Sequence, residues 1–204
     1  ETTTFWKWIK EKHPQIKRVA TLSPNDDTGW WSIKVETTYV QKLGYEVVSK
    51  EFFERTMTDF NPVLLRILAQ KPDIISVLAS PAGSVGLVIK QARELGFKGR
   101  FIHIGQIDTS VVANIAGKTN VEGTWVHGYV QNPLPEKIKS WQARYTKKYG
   151  EWNATSIDFA NPAFAFVAAV KKAQSLDQKK IAEALQTVEF ENLWGTAHFG
   201  GKEY

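Results

Sequence analysis

Short apolar runs rich in β-branched and aromatic residues alternate along this chain with longer segments whose apolar residues recur every three to four positions. Glycine closes several of the longer segments, at Gly44, Gly96 and Gly150, where a helix can end in a left-handed turn. A repeated order of strand, helix, glycine and strand is typical of βαβ units, which build a parallel sheet covered by helices. The run DIISVLA is almost continuously apolar, as is expected of a strand buried on both faces.

This alternation predicts an α/β fold whose elements can be placed along the chain. Strands are predicted at 18–22, 45–53, 73–79, 100–105 and 123–130, with helices in the intervals between them and after the last. Residues 1–152 are therefore interpreted as one doubly wound, mostly parallel α/β lobe that binds a ligand. Residues 153–204 contain a polar crossing, two helices and a short strand with a glycine turn, which we interpret as a partial companion lobe.

Local signals add detail to three of the helices. In the helix after the first strand, the apolar residues Val35, Tyr39 and Val40 are predicted to face the core. Asp59 is predicted to cap the helix that starts near residue 62, where a proline in the first turn loses no hydrogen bond. Asp177 is predicted to cap the last helix in the same way.

Composition removes several classes of function. The 204 residues include no cysteine, which excludes disulfides, thiolate catalysis and cysteine-type metal sites. The net charge of +5 comes from basic residues interleaved with acidic ones, so solvated helix faces are favoured over nucleic-acid binding. Apolar runs stay shorter than the about 18 residues that a membrane span needs. The chain opens on ETTTFWKWIK, without methionine or a signal-peptide pattern, and we interpret it as part of a longer or processed protein.

The sequence contains no recognisable catalytic or cofactor motif. Phosphate-loop, dinucleotide and G-x-S-x-G motifs are absent, and the four histidines lack the spacing of metal ligands. His103 lies in an apolar run and is interpreted as a core residue. Asp26 and Asp27 could act as an acid or a base, but turn formation and helix capping explain them better. We therefore expect no enzyme activity, no cofactor and no metal.

The loops after the predicted strands carry the candidate binding residues, because ligands of doubly wound sheets bind beyond the carboxyl ends of the strands. One such loop, SPNDDTGWW at residues 23–31, holds two adjacent tryptophans. Trp30 either covers a flat or apolar ligand or only packs against the neighbouring loop, whereas Trp31 is predicted to pack into the domain. The complete predicted set of ligand contacts is Thr28, Trp30, Ser80, Ala82, Gln106 and Asp108.

Several motifs together resemble a known family. SPNDDTG, GYEVV, TDFNPVLLRI, PDIISV, IKQARELGF and FENLWGTAHFGGKEY are similar, in this order, to segments of the leucine/isoleucine/valine-type solute-binding proteins of ABC transporters. The resemblance covers nearly the whole chain. It implies a type I periplasmic-binding fold, in which two α/β lobes are joined by three crossings and close around a ligand. It also implies that the first part of the family's other lobe is missing from this chain.

The resemblance leaves the identity of the ligand open. Amino-acid-binding members of the family carry two aromatic residues and an acid at positions that Thr28, Pro81 and Gly105 occupy here. The acid, which holds the ammonium group of the ligand in those members, is therefore absent. Asp108 lies three residues further on and is a candidate substitute. A branched-chain amino acid is not the expected ligand on this comparison.

Three functional hypotheses follow. The leading one is a periplasmic, or otherwise extracytoplasmic, receptor that delivers a small polar or aromatic molecule, amino-acid-like or an organic acid, to the permease subunits of an ABC transporter. The alternative is a ligand-sensing domain of a signalling or regulatory protein, and the third is an α/β enzyme that uses Asp26 or Asp27. Apolar helix faces around residues 160–200 further predict that the chain dimerises or exchanges this segment between copies.

Overall fold

The chain forms two compact units. The structure, a computed structural model, describes residues 2–105, 107–127 and 133–199. The two units are Glu1–His127 and Gly128–Tyr204.

A parallel sheet forms the centre of the first unit. Its elements in chain order are α1 (Thr2–Lys12), β1 (Arg18–Pro24), α2 (Asp27–Lys42), β2 (Glu46–Phe53), α3 (Asn61–Ala69), β3 (Ile74–Val77), α4 (Ala82–Glu94), β4 (Arg100–His103), α5 (Thr109–Ala116), α6 (Lys118–Val121) and β5 (Trp125–Val126). The five strands lie in the order β2-β1-β3-β4-β5, and each neighbouring pair is parallel. The predicted α/β class and doubly wound sheet are therefore confirmed.

Each face of this sheet is covered by helices, because successive strand side chains point to opposite faces. On one face Phe53, Phe101 and their neighbours pack against α3, α4 and α5. On the other face Val19 and Ile102 pack against α1 and α2. The predicted glycine stop at Gly96 is confirmed, since this residue has a φ of +89° just after α4.

The buried face of α2 differs from the predicted one. The residues that α2 buries are Gly29, Ile33, Glu36, Thr37 and Val40. Val35 is 39% exposed, so its predicted inward orientation is wrong. The reason is that the buried stripe includes polar residues, which a search for apolar periodicity passes over.

The cap of α3 also differs from the prediction. Phe60 occupies the N-cap position and makes no side-chain capping bond. Asp59 lies one residue earlier, where its carboxylate accepts from the backbone N–H of Asn61 at 3.0 Å. Asp59 therefore closes a turn ahead of the helix and does not occupy the cap position.

The second unit consists of helices and a hairpin. Its described elements are α7 (Glu136–Tyr149), α8 (Ser156–Ala173), α9 (Gln178–Leu185), β6 (Glu189–Asn192) and β7 (Gly195–His198), with β6 and β7 antiparallel. Asp177 caps α9 as predicted, accepting from the Lys180 N–H at 3.0 Å. The sequence placed α7 in the first lobe, whereas it lies in this second unit. How the two units correspond to the family's two lobes stays a prediction.

Apolar side chains of α8 and its surroundings remain uncovered in the second unit, as predicted, but the prediction is wrong for α9, which buries Ile181 and Ala184. Phe159 is 77% exposed, Val167 is 49% exposed and Leu176 is 82% exposed. Phe159 and Val167 line a groove of about 950 Å³ between α7, α8 and β6, which we call the α8 groove. In the described part of the chain, no helix combines the length and the apolar character needed to cross a membrane.

Candidate functional site

The candidate site lies at the carboxyl edge of the first unit's sheet, where the order of the strands changes direction. In a sheet of order β2-β1-β3-β4-β5 the chain switches sides between β1 and β3, and ligands of such folds bind in the crevice at that point. Two hydrogen bonds hold the ends of these strands together. The Leu78 N–H donates to the Leu22 carbonyl at 2.8 Å, and the Ser23 hydroxyl donates to the Leu78 carbonyl at 3.1 Å.

The corner between β1 and α2 is built around Gly29. A Cβ atom on Gly29 would lie 1.8 Å from the Pro24 carbonyl oxygen, so only glycine lets the helix approach the end of the strand this closely. Asp26 caps α2 as predicted, because its carboxylate accepts from the Gly29 N–H at 2.9 Å. The same carboxylate accepts from Arg55 at 2.6 Å, and this bond is the main reason that the pKa of Asp26 is lowered.

Trp30 lies beside the predicted crevice. Its indole N–H donates to the Asn25 side-chain oxygen at 2.9 Å, which places the ring against the β1–α2 loop. The side chain remains 51% exposed, so its ring offers free aromatic surface. Thr28 is also exposed, two residues earlier in the first turn of α2. That these two residues bind a ligand stays a prediction.

Trp31 does not pack into the domain, and that prediction is wrong. Its side chain is 65% exposed, more than that of Trp30. It lines a separate groove of about 350 Å³ along α2, together with Lys34 and Val35. Trp31 lies two residues from both Gly29 and Ile33, and a step of two residues turns to the opposite side of a helix.

The loop between β3 and α4 follows the strand that pairs with β1, so it borders the predicted crevice. Ala79 has a φ of +48°, a left-handed conformation that a residue with a Cβ adopts only under strain. Ser80 is 7% exposed and donates its hydroxyl to the Leu78 carbonyl at 2.7 Å. Ala82 begins α4, whose N-cap Pro81 makes no side-chain capping bond. The first N–H groups of α4 are therefore not satisfied by a cap, and such groups attract anions.

The loop between β4 and α5 contains Asp108, which caps α5. Its Oδ1 atom accepts from the backbone N–H of Ser110 at 3.0 Å and of Val111 at 3.2 Å. The pKa of Asp108 is lowered, most of all by the bond from the Ser110 hydroxyl. Oδ1 thus has a structural role, and contact between Asp108 and a ligand stays a prediction. Gln106, the remaining predicted contact, lies outside the described residues.

His103 is a core residue, as predicted. It is 3% exposed, its Nδ1 atom lies 2.7 Å from the Val77 carbonyl oxygen, and burial lowers its pKa. Within residues 2–105, 107–127 and 133–199, no group of three or more acidic or histidine side chains could hold a metal ion.

Sequence reasoning missed two residues that shape the corner. Asn25 holds the indole of Trp30, and its place in the polar turn SPNDD was a usable signal. Arg55 holds Asp26 from the loop after β2, 29 positions away along the chain. No local pattern could have revealed that contact, because it depends on the pairing of β1 with β2.

A doubly wound sheet with open, partly uncapped loops at its carboxyl edge defines an α/β ligand-binding fold. The chain belongs to the periplasmic binding protein family, whose pattern matches residues 1–203. The recognition of this family from the sequence is therefore confirmed.

Solved structures of similar proteins share this fold. A leucine binding protein from Thermotoga maritima has a TM-score of 0.81 and 23% identity, over 95% of this chain and 56% of its own. A type 1 periplasmic binding protein from Bordetella pertussis has a TM-score of 0.84 and 15% identity, over 100% and 58%. A Rhodopseudomonas palustris ABC transporter solute binding protein in complex with 4-hydroxybenzoate has a TM-score of 0.76 and 18% identity, over 98% and 56%. This chain thus spans less than two thirds of each relative.

Proposed function

We propose that this chain is the ligand-binding part of an extracytoplasmic solute receptor of an ABC transporter. It binds a small polar or aromatic molecule reversibly and performs no chemistry on it. The observation that carries the proposal is the change in strand order between β1 and β3, the point at which doubly wound folds bind their ligands. The loop after β1 leads to the exposed ring of Trp30, and the loop after the neighbouring β3 leads to the uncapped start of α4 at Ala82.

These two features complement the two ends of an organic acid or an amino-acid-like compound. The backbone N–H groups at the start of α4 would receive a carboxylate, since a helix N-terminus carries partial positive charge. Ser80 would contribute its hydroxyl oxygen as an acceptor, because its proton is already donated to Leu78. Trp30 would cover the flat or apolar end of the ligand, and Thr28 would add a hydroxyl. The 4-hydroxybenzoate named for one relative combines a carboxylate with a flat ring in this way.

The partners follow from this role. The receptor would deliver its ligand to the membrane subunits of an ABC permease, and it would work in the periplasm or outside the cytoplasmic membrane. We also propose that the chain associates with a second copy, or exchanges a segment with it, through the α8 groove.

A thermal-shift and calorimetric screen tests the function. The panel contains amino acids, aromatic acids such as 4-hydroxybenzoate, and the amide of each acid. A ligand that binds only the folded protein stabilises it by about 2.7 kcal/mol at a hundredfold excess over Kd. We expect one or more acids to stabilise the protein while their amides fail, because the amide lacks the charge that α4 attracts.

Two outcomes would contradict the proposal. One is a screen in which no acid raises the unfolding temperature. The other is a compound that is converted to a product, which would indicate an enzyme. The Trp31→Ala variant serves as a matched control for Trp30→Ala, because Trp31 lies in a different groove and should not affect binding.

A further inference from the structure

Glu36 is the acidic side chain that the described part of the chain buries completely. It lies in the middle of α2 and is 1% exposed. It faces the sheet beside Trp6 and Ser76, each 0% exposed. An ionised carboxylate in such surroundings loses its hydration without a compensating charge, so burial strongly favours the neutral acid.

The hydrogen bonds around Glu36 come from two other elements. Its Oε1 atom accepts from the indole N–H of Trp6 in α1 at 3.0 Å. The same atom accepts from the hydroxyl of Ser76 in β3 at 2.8 Å. The Oε2 atom is buried and has no hydrogen-bond partner among the described residues. The carboxyl group of Glu36 thus links α1, α2 and β3. Its Oε1 atom accepts two hydrogen bonds, whereas its Oε2 atom has no hydrogen-bond partner among the described residues.

No cation balances Glu36 on the elements packed against it. The other buried ionisable side chains of the described residues are Tyr45 and His103. The Tyr45 hydroxyl donates to the Trp6 carbonyl at 3.4 Å, and the His103 Nδ1 atom lies 2.7 Å from the Val77 carbonyl oxygen. The charged side chains of α1 and α2 that are described are exposed: Lys7, Lys10, Glu11, Lys12, Asp27, Lys34 and Lys42. At the far ends of β1 and β4, Arg18 pairs with Glu46 and Arg100 stacks on Trp125. The strand β3 carries no charged residue.

We propose that Glu36 forms a pH-dependent contact between α1, α2 and β3. As a neutral acid it holds α1 in place, and when it ionises it loosens α1. Ionisation spreads a negative charge over both carboxylate oxygens, and Oε2 has no donor to receive its share. Opening α1 is the direct route by which water can reach the carboxylate, since Trp6 covers it from that side. This device concerns the fold itself and does not depend on the proposed ligand.

The direction of the pH dependence follows from the two protonation states. Burial raises the pKa of Glu36 from its ordinary value of 4.5 to about 7, against the opposing effect of the Ser76 and Trp6 bonds. Between these values the folded protein keeps a proton that the unfolded chain has lost. The contribution of Glu36 to stability is therefore complete below pH 4.5 and decreases until the pH has passed about 7.

Urea unfolding of the wild type and Glu36→Gln between pH 4.5 and 8 tests whether this contact depends on pH. Glutamine keeps the size and an acceptor oxygen of the neutral acid but cannot ionise. The wild type should lose about a hundredfold in its folding equilibrium constant relative to Glu36→Gln across this range. The exposed Glu94, at the end of α4, gives a matched control, and Glu94→Gln should follow the wild-type profile. Parallel profiles of wild type and Glu36→Gln would overturn the proposal.

A second test titrates Glu36 directly in the wild-type protein, so it does not depend on whether the variant folds. The ¹³C resonance of the Glu36 carboxyl in the wild-type protein should titrate with a midpoint near 7, and a midpoint in the ordinary range near 4.5 would overturn the proposal. Above that midpoint the amide protons of α1 should exchange faster with solvent, while those of α4 should not. Unchanged exchange in α1 would show that Glu36 ionises without releasing the helix, and would also contradict the proposal.

Discussion

Replacing Gly29 by alanine should destabilise the protein, although alanine is the better helix former. The new Cβ would lie 1.8 Å from the Pro24 carbonyl oxygen, 2.9 Å from the Pro24 carbonyl carbon and 2.8 Å from the Ser23 hydroxyl. Contacts below 3.0 Å force a shift. The strand end cannot move freely, because Pro24 pairs with Phe53 in β2 and Ser23 is bonded to Leu78. The helix start would have to move instead.

The magnitude follows from two opposing effects. Alanine gains about 1 kcal/mol over glycine in a helix. Forcing a methyl group into a packed site, with the backbone shifts that this requires, costs typically about 1–3 kcal/mol. The clash at Gly29 is with backbone, so we take the upper end of that range and expect a net loss of about 2 kcal/mol in the free energy of unfolding. Displacement of the helix start also moves Thr28 and Trp30, so ligand affinity should fall as well.

Gly83 offers a matched control at the start of α4. A Cβ on Gly83 would meet only the Ile115 Cδ1 atom, at 3.9 Å, which is an ordinary contact. Gly83→Ala should therefore leave stability unchanged or raise it by up to about 1 kcal/mol. Both variants are compared with the wild type by urea unfolding, followed by circular dichroism and tryptophan fluorescence. If Gly29→Ala and Gly83→Ala changed the free energy of unfolding equally, the argument that Gly29 is needed for the close contact with Pro24 would be refuted.

Three further changes have defined outcomes. Trp30→Ala should weaken ligand binding by roughly 1–3 kcal/mol in calorimetry. Trp31→Ala should leave both affinity and stability near wild type. Equal losses of affinity would contradict the proposal that Trp30, and not Trp31, contacts the ligand. Ala79→Gly should raise the free energy of unfolding by about 1 kcal/mol, because glycine relieves the left-handed strain, and a loss in urea unfolding would show that the Ala79 methyl group contributes packing. Light scattering should show concentration-dependent association of the chain that Phe159→Glu abolishes, and a monomer at every concentration would exclude the α8 groove as a contact.

The sequence allowed the parallel sheet to be predicted, because its strands and helices follow local patterns. The strands β3 and β4 follow short apolar runs, and Gly96 ends α4 through its own backbone preference. The cap at Asp26 was predictable for the same reason, since aspartate before a helix satisfies free N–H groups by its local chemistry.

The features that sequence reasoning missed depend on contacts between distant segments. Trp31 was expected inside, but the rotation of α2 about its axis is set by the sheet and α1, which bury Glu36 and Thr37. A buried glutamate has no apolar periodicity to reveal it, and its partners lie 30 and 40 positions away. The strain at Ala79 is equally invisible in sequence, because alanine is an ordinary residue and only the β3–α4 connection forces its conformation.

The close contact between Gly29 and Pro24 has a practical consequence for measuring ligand binding. The contact and the Asp26 cap hold the start of α2 in one position against β1, so a dye attached there would have a fixed backbone anchor. Thr28 is exposed on this corner, and the chain contains no cysteine. A single cysteine introduced at residue 28 would therefore carry an environment-sensitive fluorophore at one defined place. The protein could then serve as a reagentless optical sensor for whatever solute enters the crevice.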